Sequence, residues 1–131
     1  MPTTNESPNV DQFTSPYFFF TYDQSGYLRF ASQSVERVLG YSAAKIIGRH
    51  HGDFLVDGHE LNQSVAECHE RRFSQTGEHN SVRALVAQDG GIRIVSVQTV
   101  GITDANDRIV RCQGLAIDTT EDYLRNQALC A

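Results

Sequence analysis

The feature that most constrains the fold is a run of three strand-like segments in the second half of the chain. They are HNSVRALVAQ (79–88), IRIVSVQTVGI (92–102) and RIVRCQGLAID (108–118). DGG (89–91) and DAND (104–107) separate them, and such Gly, Asp and Asn clusters form hairpin turns. Because a hairpin reverses the chain, these three strands are predicted to pair antiparallel in one sheet.

Two further strands are predicted near the N-terminus. YFFFTYD (17–23) is dense in aromatic residues, which favour strands, and QSG (24–26) is typical of a turn. The alternating YLRFA (27–31) then returns as the second strand of a hairpin.

The segment between the two groups of strands is predicted to be helical. A short helix ends at Gly40, a second one ends at Gly48, and the longest candidate runs from about Asp57 to Gln75. This order predicts an α+β fold: a five-stranded antiparallel sheet with short helices and one longer helix packed on one face. Such packing leaves a space between helices and strands that suits a buried ligand.

Composition excludes several functional classes. The net charge is −5 and the 11 basic residues are scattered, whereas a nucleic-acid-binding domain normally shows a basic stripe. No apolar run approaches the roughly 18 residues of a membrane span, so no membrane contact by this segment is expected. Cys68, Cys112 and Cys130 are far apart in sequence, which argues against a disulfide scaffold and fits a reducing cytoplasm.

The chain is expected to divide into three parts. Residues 1–15 carry two prolines and few apolar residues, which predicts a flexible or loosely docked leader. Residues 16–120 form the domain. Residues 121–131 are predicted to begin a C-terminal signalling helix that is cut short.

Three marks, in order, give the sequence a family resemblance. They are DQSGYLRFASQSVERVLGYSAAKIIGR (23–49), the DGG hairpin with its long following strand, and ITDANDRIVRCQGLAIDTTED (102–122). From about Tyr17 to Asp122 the chain resembles a PAS domain. The resemblance implies a regulatory module, not an enzyme, in a larger signal-transduction protein such as a histidine kinase or diguanylate cyclase. Such a module senses a small ligand or a partner, forms a homodimer, and passes its state to a C-terminal effector by dimer rearrangement.

A flavin is not expected from this resemblance. The photoactive flavin-binding class carries Gly-Arg-Asn-Cys, and the reactive cysteine is absent here. The matching residues are Gly48, Arg49, His50 and His51. The polar positions that hold the flavin ring in that class align with Leu85, Arg93 and Ala116, and neither Leu nor Ala can hydrogen-bond the ring.

Haem is considered and not favoured. In the oxygen-sensing relatives the axial histidine falls at the position of Ala66, and the nearest histidine is His69, close to the inward face that Val65 marks. The favoured interpretation of His69 is a boundary residue flanked by Glu67 and Glu70.

His50 and His51 are weak metal candidates. Asp53, Asp57 and His59 lie near them in sequence, but adjacent side chains diverge and a firm site needs converging ligands. The favoured interpretation is a solvated loop, with no metal.

Arg93 is a candidate for binding an organic acid. If Val95 and Val97 point inward, Arg93 shares their face, and a ligand carboxylate would pair with it. A protein carboxylate or a position at the sheet edge would serve equally well. The opposite parity is also partly apolar: Ile94, Ser96, Gln98 and Val100. The sequence does not decide which of these two sets of side chains faces the core. Because both faces of the strand carry apolar residues, the outer face of the sheet is expected to be covered by the leader or by a partner subunit.

The candidate site residues fall in two groups. The ligand-pocket candidates are Leu61, Val65, Cys68, His69, Leu85, Arg93, Val95, Val97 and Ala116. The resemblance assigns signal output to Asp118 and Thr120, with Glu121 beginning the signalling helix.

No catalytic motif is present, and Cys68 and His69 do not face each other on a helix. A ligand-free interaction module is the remaining alternative.

Overall fold

The computed structural model describes residues 16–130 and contains one five-stranded antiparallel sheet. Its spatial order is β2-β1-β5-β4-β3. The strands are β1 Tyr17–Asp23, β2 Leu28–Ala31, β3 Glu78–Val86, β4 Ile92–Thr103 and β5 Ile109–Asp118. All five predicted strands and both predicted hairpins of the second half are therefore confirmed.

The helices lie between β2 and β3, apart from the last one. They are α1 Val35–Leu39, α2 Ala43–Ile46, two 3₁₀ turns at His51–Phe54 and Glu60–Asn62, α3 Val65–Ser74 and α4 Thr120–Cys130. The predicted α+β class, with short helices and one longer helix on the sheet, is confirmed. The predicted leader, residues 1–15, lies outside the described residues.

The N-terminal strand joins the two ends of the chain into one sheet. Strand β1 pairs with β2 on one side and with β5 on the other, so Tyr17 lies opposite Ile117 and Asp23 opposite Arg111. The position of β1 between two other strands explains its aromatic composition, because its inward side chains Phe18 and Phe20 are buried in the core.

The long helix is shorter than predicted. It begins at Val65 rather than near Asp57, and the preceding segment forms a separate 3₁₀ turn. Gly58 adopts φ +71°, which breaks a right-handed helix. The Asn62 side chain then donates to the carbonyls of Val56 and Ala84 and accepts from the Ala84 amide. Side-chain bonds to β3 thus replace the helical bonds that the periodicity predicted.

The core lies between the sheet and the short helices. Val35, Val38 and Leu39 of α1 are almost completely buried, as is Val95 of β4. This burial settles the parity that the sequence left open, because the Val95 and Val97 face of β4 points toward the helices. The opposite face keeps large apolar side chains exposed, among them Phe19, Phe30, Val82 and Val100.

Among residues 16–130 no helix is both long and apolar enough to cross a lipid bilayer. The thiols of Cys68 and Cys112 are free.

The packing at Gly114 leaves no room for a larger residue. Gly114 of β5 lies opposite Phe20, and a Cβ at Gly114 would come within 2.7 Å of both ε carbons of the Phe20 ring. We expect Gly114→Ala to lower the free energy of unfolding by about 1–3 kcal/mol, the usual cost of overpacking a core. Urea denaturation measures this loss.

Gly91→Ala is the matched control. A Cβ there would meet mainly the flexible end of Arg93 and one oxygen of Asp89. A loss for Gly91→Ala as large as the loss for Gly114→Ala would contradict this account of the sheet.

Candidate ligand-binding site

A cavity of about 150 Å³ lies between the inner face of the sheet, helix α3 and the first 3₁₀ turn. Its apolar side is formed by aromatic and aliphatic side chains, including Phe18, Phe20, Phe54, Leu55 and Val97. Its polar side chains come mainly from α3 and β3. They are Tyr22, His51, Cys68, His69, Arg71, Arg72, His79, Asn80, Ser81, Arg83 and Thr99.

The structure brings most of the predicted pocket residues to this cavity. Those that line it are Val65, Cys68, His69, Leu85, Val97 and Ala116. Two others do not line it: Val95 is fully buried in the core, and Leu61 lies in the second 3₁₀ turn.

Arg93, the predicted partner of a ligand carboxylate, does not line the cavity. It shares the parity of Val95, but it lies at the end of β4 beside the hairpin turn. Its Nη2 lies 3.3 Å from Oδ2 of Asp89, so a protein carboxylate binds it. Of the three alternatives left open for Arg93, the ion pair with Asp89 matches the protein carboxylate.

Arg72 is the cavity residue that sequence reasoning missed. It is 2% exposed, although it carries a charge. Nη1 donates to the carbonyls of Gly77 and Thr99, and Nη2 donates to the carbonyl of Gln75. A signal was present, because residue 72 follows Cys68 by four positions and so continues the predicted inward face of the helix.

Arg83 on β3 is a second missed cavity residue. Its Nη1 donates to the carbonyl of Leu61 at 3.1 Å and to that of Val82 at 3.0 Å. Alternation along β3 places it on the same face as Leu85, which was predicted to line the pocket.

His51 lies against the cavity rather than in a solvated loop, which corrects the favoured interpretation of the histidine pair. Its ring stacks on Tyr22, with centroids 4.7 Å apart, and on His50 at 4.8 Å. The cause is a backbone bridge between Tyr27 and His50, which draws the segment alongside the first hairpin. No group of three or more metal-ligating side chains occurs in residues 16–130.

The protonation of His51 reflects its surroundings. Burial lowers the pKa of His51 to about 4, and the charges of His50, His69 and Arg83 act in the same direction, against a smaller opposing effect of Asp53. The imidazole is therefore neutral at physiological pH.

The Cys68 thiol responds to the same positive surroundings. Burial alone would raise its pKa, but hydrogen bonding and the charge of Arg83, helped by Ser64 and Arg71, lower the pKa below its ordinary value. Nη2 of Arg71 lies 3.3 Å from Sγ of Cys68. The lowered pKa of Cys68 thus reflects the nearby positive charges of Arg83 and Arg71, whereas burial is the main cause of the lowered pKa of His51.

His69 is held at the cavity wall by one of its two ring nitrogens. Its Nε2 lies 2.8 Å from the carbonyl oxygen of Gln24, and its ring packs at 4.9 Å from Phe73 and 5.8 Å from Tyr22. Its Nδ1 is buried and has no hydrogen-bond partner.

Comparison with known proteins identifies the family. The sequence profile described as the PAS fold matches residues 28–116. The chain belongs to the PAS family. No curated protein sequence matches it.

Three solved structures illustrate the shared fold. A Drosophila melanogaster Cycle PAS-B variant with bound glycerol is 13% identical, with TM-score 0.70, over 77% of this chain and 98% of that chain. The blue-light activated histidine kinase of Erythrobacter litoralis is 18% identical, with TM-score 0.66, over 81% of this chain and 34% of that chain. A light-oxygen-voltage domain studied with a flavin analogue is 20% identical, with TM-score 0.66, over 93% of both chains.

The cavity of this PAS domain does not fit either large cofactor of the family. Its 150 Å³ lies below the roughly 300–1,000 Å³ of sites for drug-sized ligands, and flavin and haem are at least that large. Leu85 and Ala116 line the cavity without polar side-chain atoms, and Nε2 of His69 is already bound to Gln24. We therefore assign no step to flavin or haem.

The PAS domain continues into α4 through a hydrogen-bonded junction. Oδ1 of Asp118 accepts from the Thr120 amide at 3.0 Å and from the Thr120 hydroxyl at 2.6 Å. Oγ1 of Thr120 accepts from the Ile94 amide at 2.9 Å, and the Thr119 amide donates to the Ile94 carbonyl. Glu121, by contrast, is exposed and lies 3.6 Å from Arg125.

The depressed pKa of His51 predicts a pH-dependent stability. In the unfolded chain His51 is protonated near pH 6.5, whereas in the folded protein it is protonated only near pH 4. The free energy of unfolding is therefore highest above pH 6.5 and decreases as the pH falls from 6.5 to 4. The loss is on the order of 3 kcal/mol. Urea denaturation across the window measures it.

His51→Phe keeps an aromatic ring and removes the titrating group, so we expect a smaller loss of stability over the same window. Equal pH profiles for the two proteins, or an NMR titration midpoint for His51 near its ordinary value, would contradict the buried environment of this ring.

Proposed function

We propose that this PAS domain is the sensory module of a larger signalling protein, and that a small ligand in the cavity sets the state of α4. The observation that carries the proposal is the path from cavity to junction. Val97 and Ala116 line the cavity and are paired across β4 and β5. Two residues farther along, Val95 is paired with Asp118, whose carboxylate holds the start of α4.

The path from the cavity to the start of α4 is only two residues long on each strand. Because β4 and β5 are hydrogen-bonded along their length, a displacement of Ala116 by a ligand reaches Asp118 through one strand. The junction holds α4 through a few hydrogen bonds to the single residue Ile94, so a small shift of β4 changes the geometry at Thr120. Small shifts of a helix at a packed interface are a common switching element.

The outer face of the sheet supports homodimer formation. Phe19, Phe30, Val82 and Val100 are each exposed by 40% or more, and large apolar side chains grouped on one sheet face mark an interaction surface. A second copy of the domain or the residues before Pro16 would cover it. In the dimer, α4 would pass the rearrangement to an effector that follows residue 131.

The effector type, histidine kinase or diguanylate cyclase, and the cytoplasmic location stay predictions. The likeness of this fold to part of a blue-light activated histidine kinase supports the first of these effector types.

Thr120→Val tests the coupling. It removes the hydroxyl that bonds Asp118 and Ile94 but keeps the shape of the side chain. We expect amide hydrogen exchange in α4 to become about tenfold faster, because the junction bonds no longer oppose local opening. A one-ring probe of the cavity, benzoate or benzamide, should alter this exchange in the wild type and not in the variant, while its affinity stays within about twofold.

Thr103→Val is the matched control, since Thr103 lies at the exposed far end of β4. The proposal fails if a bound probe leaves exchange in α4 unchanged in the wild type. It fails equally if Thr103→Val abolishes the response as completely as Thr120→Val does.

A further inference from the structure

Among the described side chains, those of residues 16–128, two buried atoms lack a hydrogen-bond partner, and both belong to residues that line the cavity. They are Nδ1 of His69 and Nε of Arg72. The two residues lie three positions apart on α3, which places their side chains on neighbouring turns of the same helix face. Buried polar atoms in native proteins are nearly always satisfied, so this pair indicates a missing partner.

The chemistry of each atom follows from its surroundings. A carbonyl oxygen only accepts, so the bond to Gln24 requires the His69 tautomer whose hydrogen lies on Nε2. Nδ1 then offers a lone pair to a donor. Arg72 Nε carries a hydrogen and requires an acceptor.

The positive charges of the cavity lining indicate that the missing partner is an anion. Arg71, Arg72 and Arg83 line the cavity, and none of them has an ion pair with a carboxylate in the part of the chain that the structure describes. The lining contains no Asp or Glu. The whole chain carries a net charge of −5, so this cluster does not reflect a generally basic protein. Arg72 is the buried member of these three, and because a buried charge is normally paired, an anion would pair with it.

The volume of the cavity and its apolar wall limit the ligand further. A cavity of this volume in an apolar core accommodates a benzene-sized molecule. Phe18, Phe54 and Leu55 contribute an apolar wall, which an inorganic phosphate or sulfate ion would leave empty.

We propose that the cavity binds a small hydroxy-substituted organic carboxylate with a one-ring or branched apolar body. Arg72 and Arg83 receive the carboxylate, His69 Nδ1 accepts the hydroxyl hydrogen, and the apolar body packs on the phenylalanine side. The inference rests on the proposed sensory function, because it names the ligand of that same cavity.

Isothermal titration of residues 1–131 with matched probes tests the ligand class. The probes are benzoate, its three hydroxybenzoate isomers and neutral benzamide. We expect benzoate to bind about tenfold more tightly than benzamide, and at least one hydroxybenzoate isomer to bind a further fivefold or more tightly than benzoate. Equal affinities for benzoate and benzamide overturn the carboxylate assignment, and no gain for any of the three isomers overturns the role of His69.

Three variants assign the contacts. His69→Phe keeps the stacked ring and should abolish the preference for the hydroxybenzoate while leaving benzoate binding within about twofold. Arg83→Met should weaken both acids about tenfold. Arg93→Met is the control, because it removes the same charge outside the cavity, and it should change neither. Arg72 is left intact, since its bonds to three carbonyls hold α3 in place.

The outcomes separate the two proposals. If benzamide binds as tightly as the acids and Arg83→Met has no effect, the ligand class is wrong and the sensory cavity stands. If no probe binds at all, both proposals fail. A loss for Arg93→Met equal to that for Arg83→Met would show that the charge acts at long range, which overturns the assigned contact.

Discussion

The buried guanidinium of Arg72 is the interaction on which the site depends. Through three carbonyl acceptors it ties α3 to the turn before β3 and to Thr99 on the middle of β4. Those bonds hold the helix at a distance from the sheet, and the cavity is the space that results. The same residue brings an unpaired positive charge to the cavity wall, so a structural anchor and a requirement for an anion come from one side chain.

The sheet could be predicted from the sequence because each strand carried its own local signal. Turn residues at 89–91 and 104–107 fixed both hairpins, and the aromatic run of β1 identified a buried strand. The prediction of the long helix was less accurate, because its apolar periodicity extended into a segment where the Asn62 side chain forms hydrogen bonds to β3 in place of helical ones. Tertiary hydrogen bonds of this kind do not change the spacing of apolar residues in the sequence, so the spacing cannot predict them.

The sequence predicted apolar residues of the site and two polar ones, Cys68 and His69, which line the cavity. Val65, Leu85 and Ala116 followed from periodicity and the family resemblance, whereas neither Arg72 nor Arg83 was predicted to line the cavity. Arg93 satisfied the parity of β4 but lay beside Asp89, which the hairpin turn brings within reach. Arg72 was missed because its charge suggested a solvated position, although its place in the helix repeat was inward. Three-dimensional context decides which arginine is desolvated.

A crystal structure of the protein with the tightest-binding hydroxybenzoate tests the central claim most directly. The account predicts the ring between α3 and β3, with a carboxylate oxygen within about 3.2 Å of a guanidinium nitrogen of Arg72 or Arg83 and the hydroxyl at His69 Nδ1. A ligand bound on the outer face of the sheet, with the two unpartnered atoms of α3 satisfied by water or by other protein groups, would contradict it.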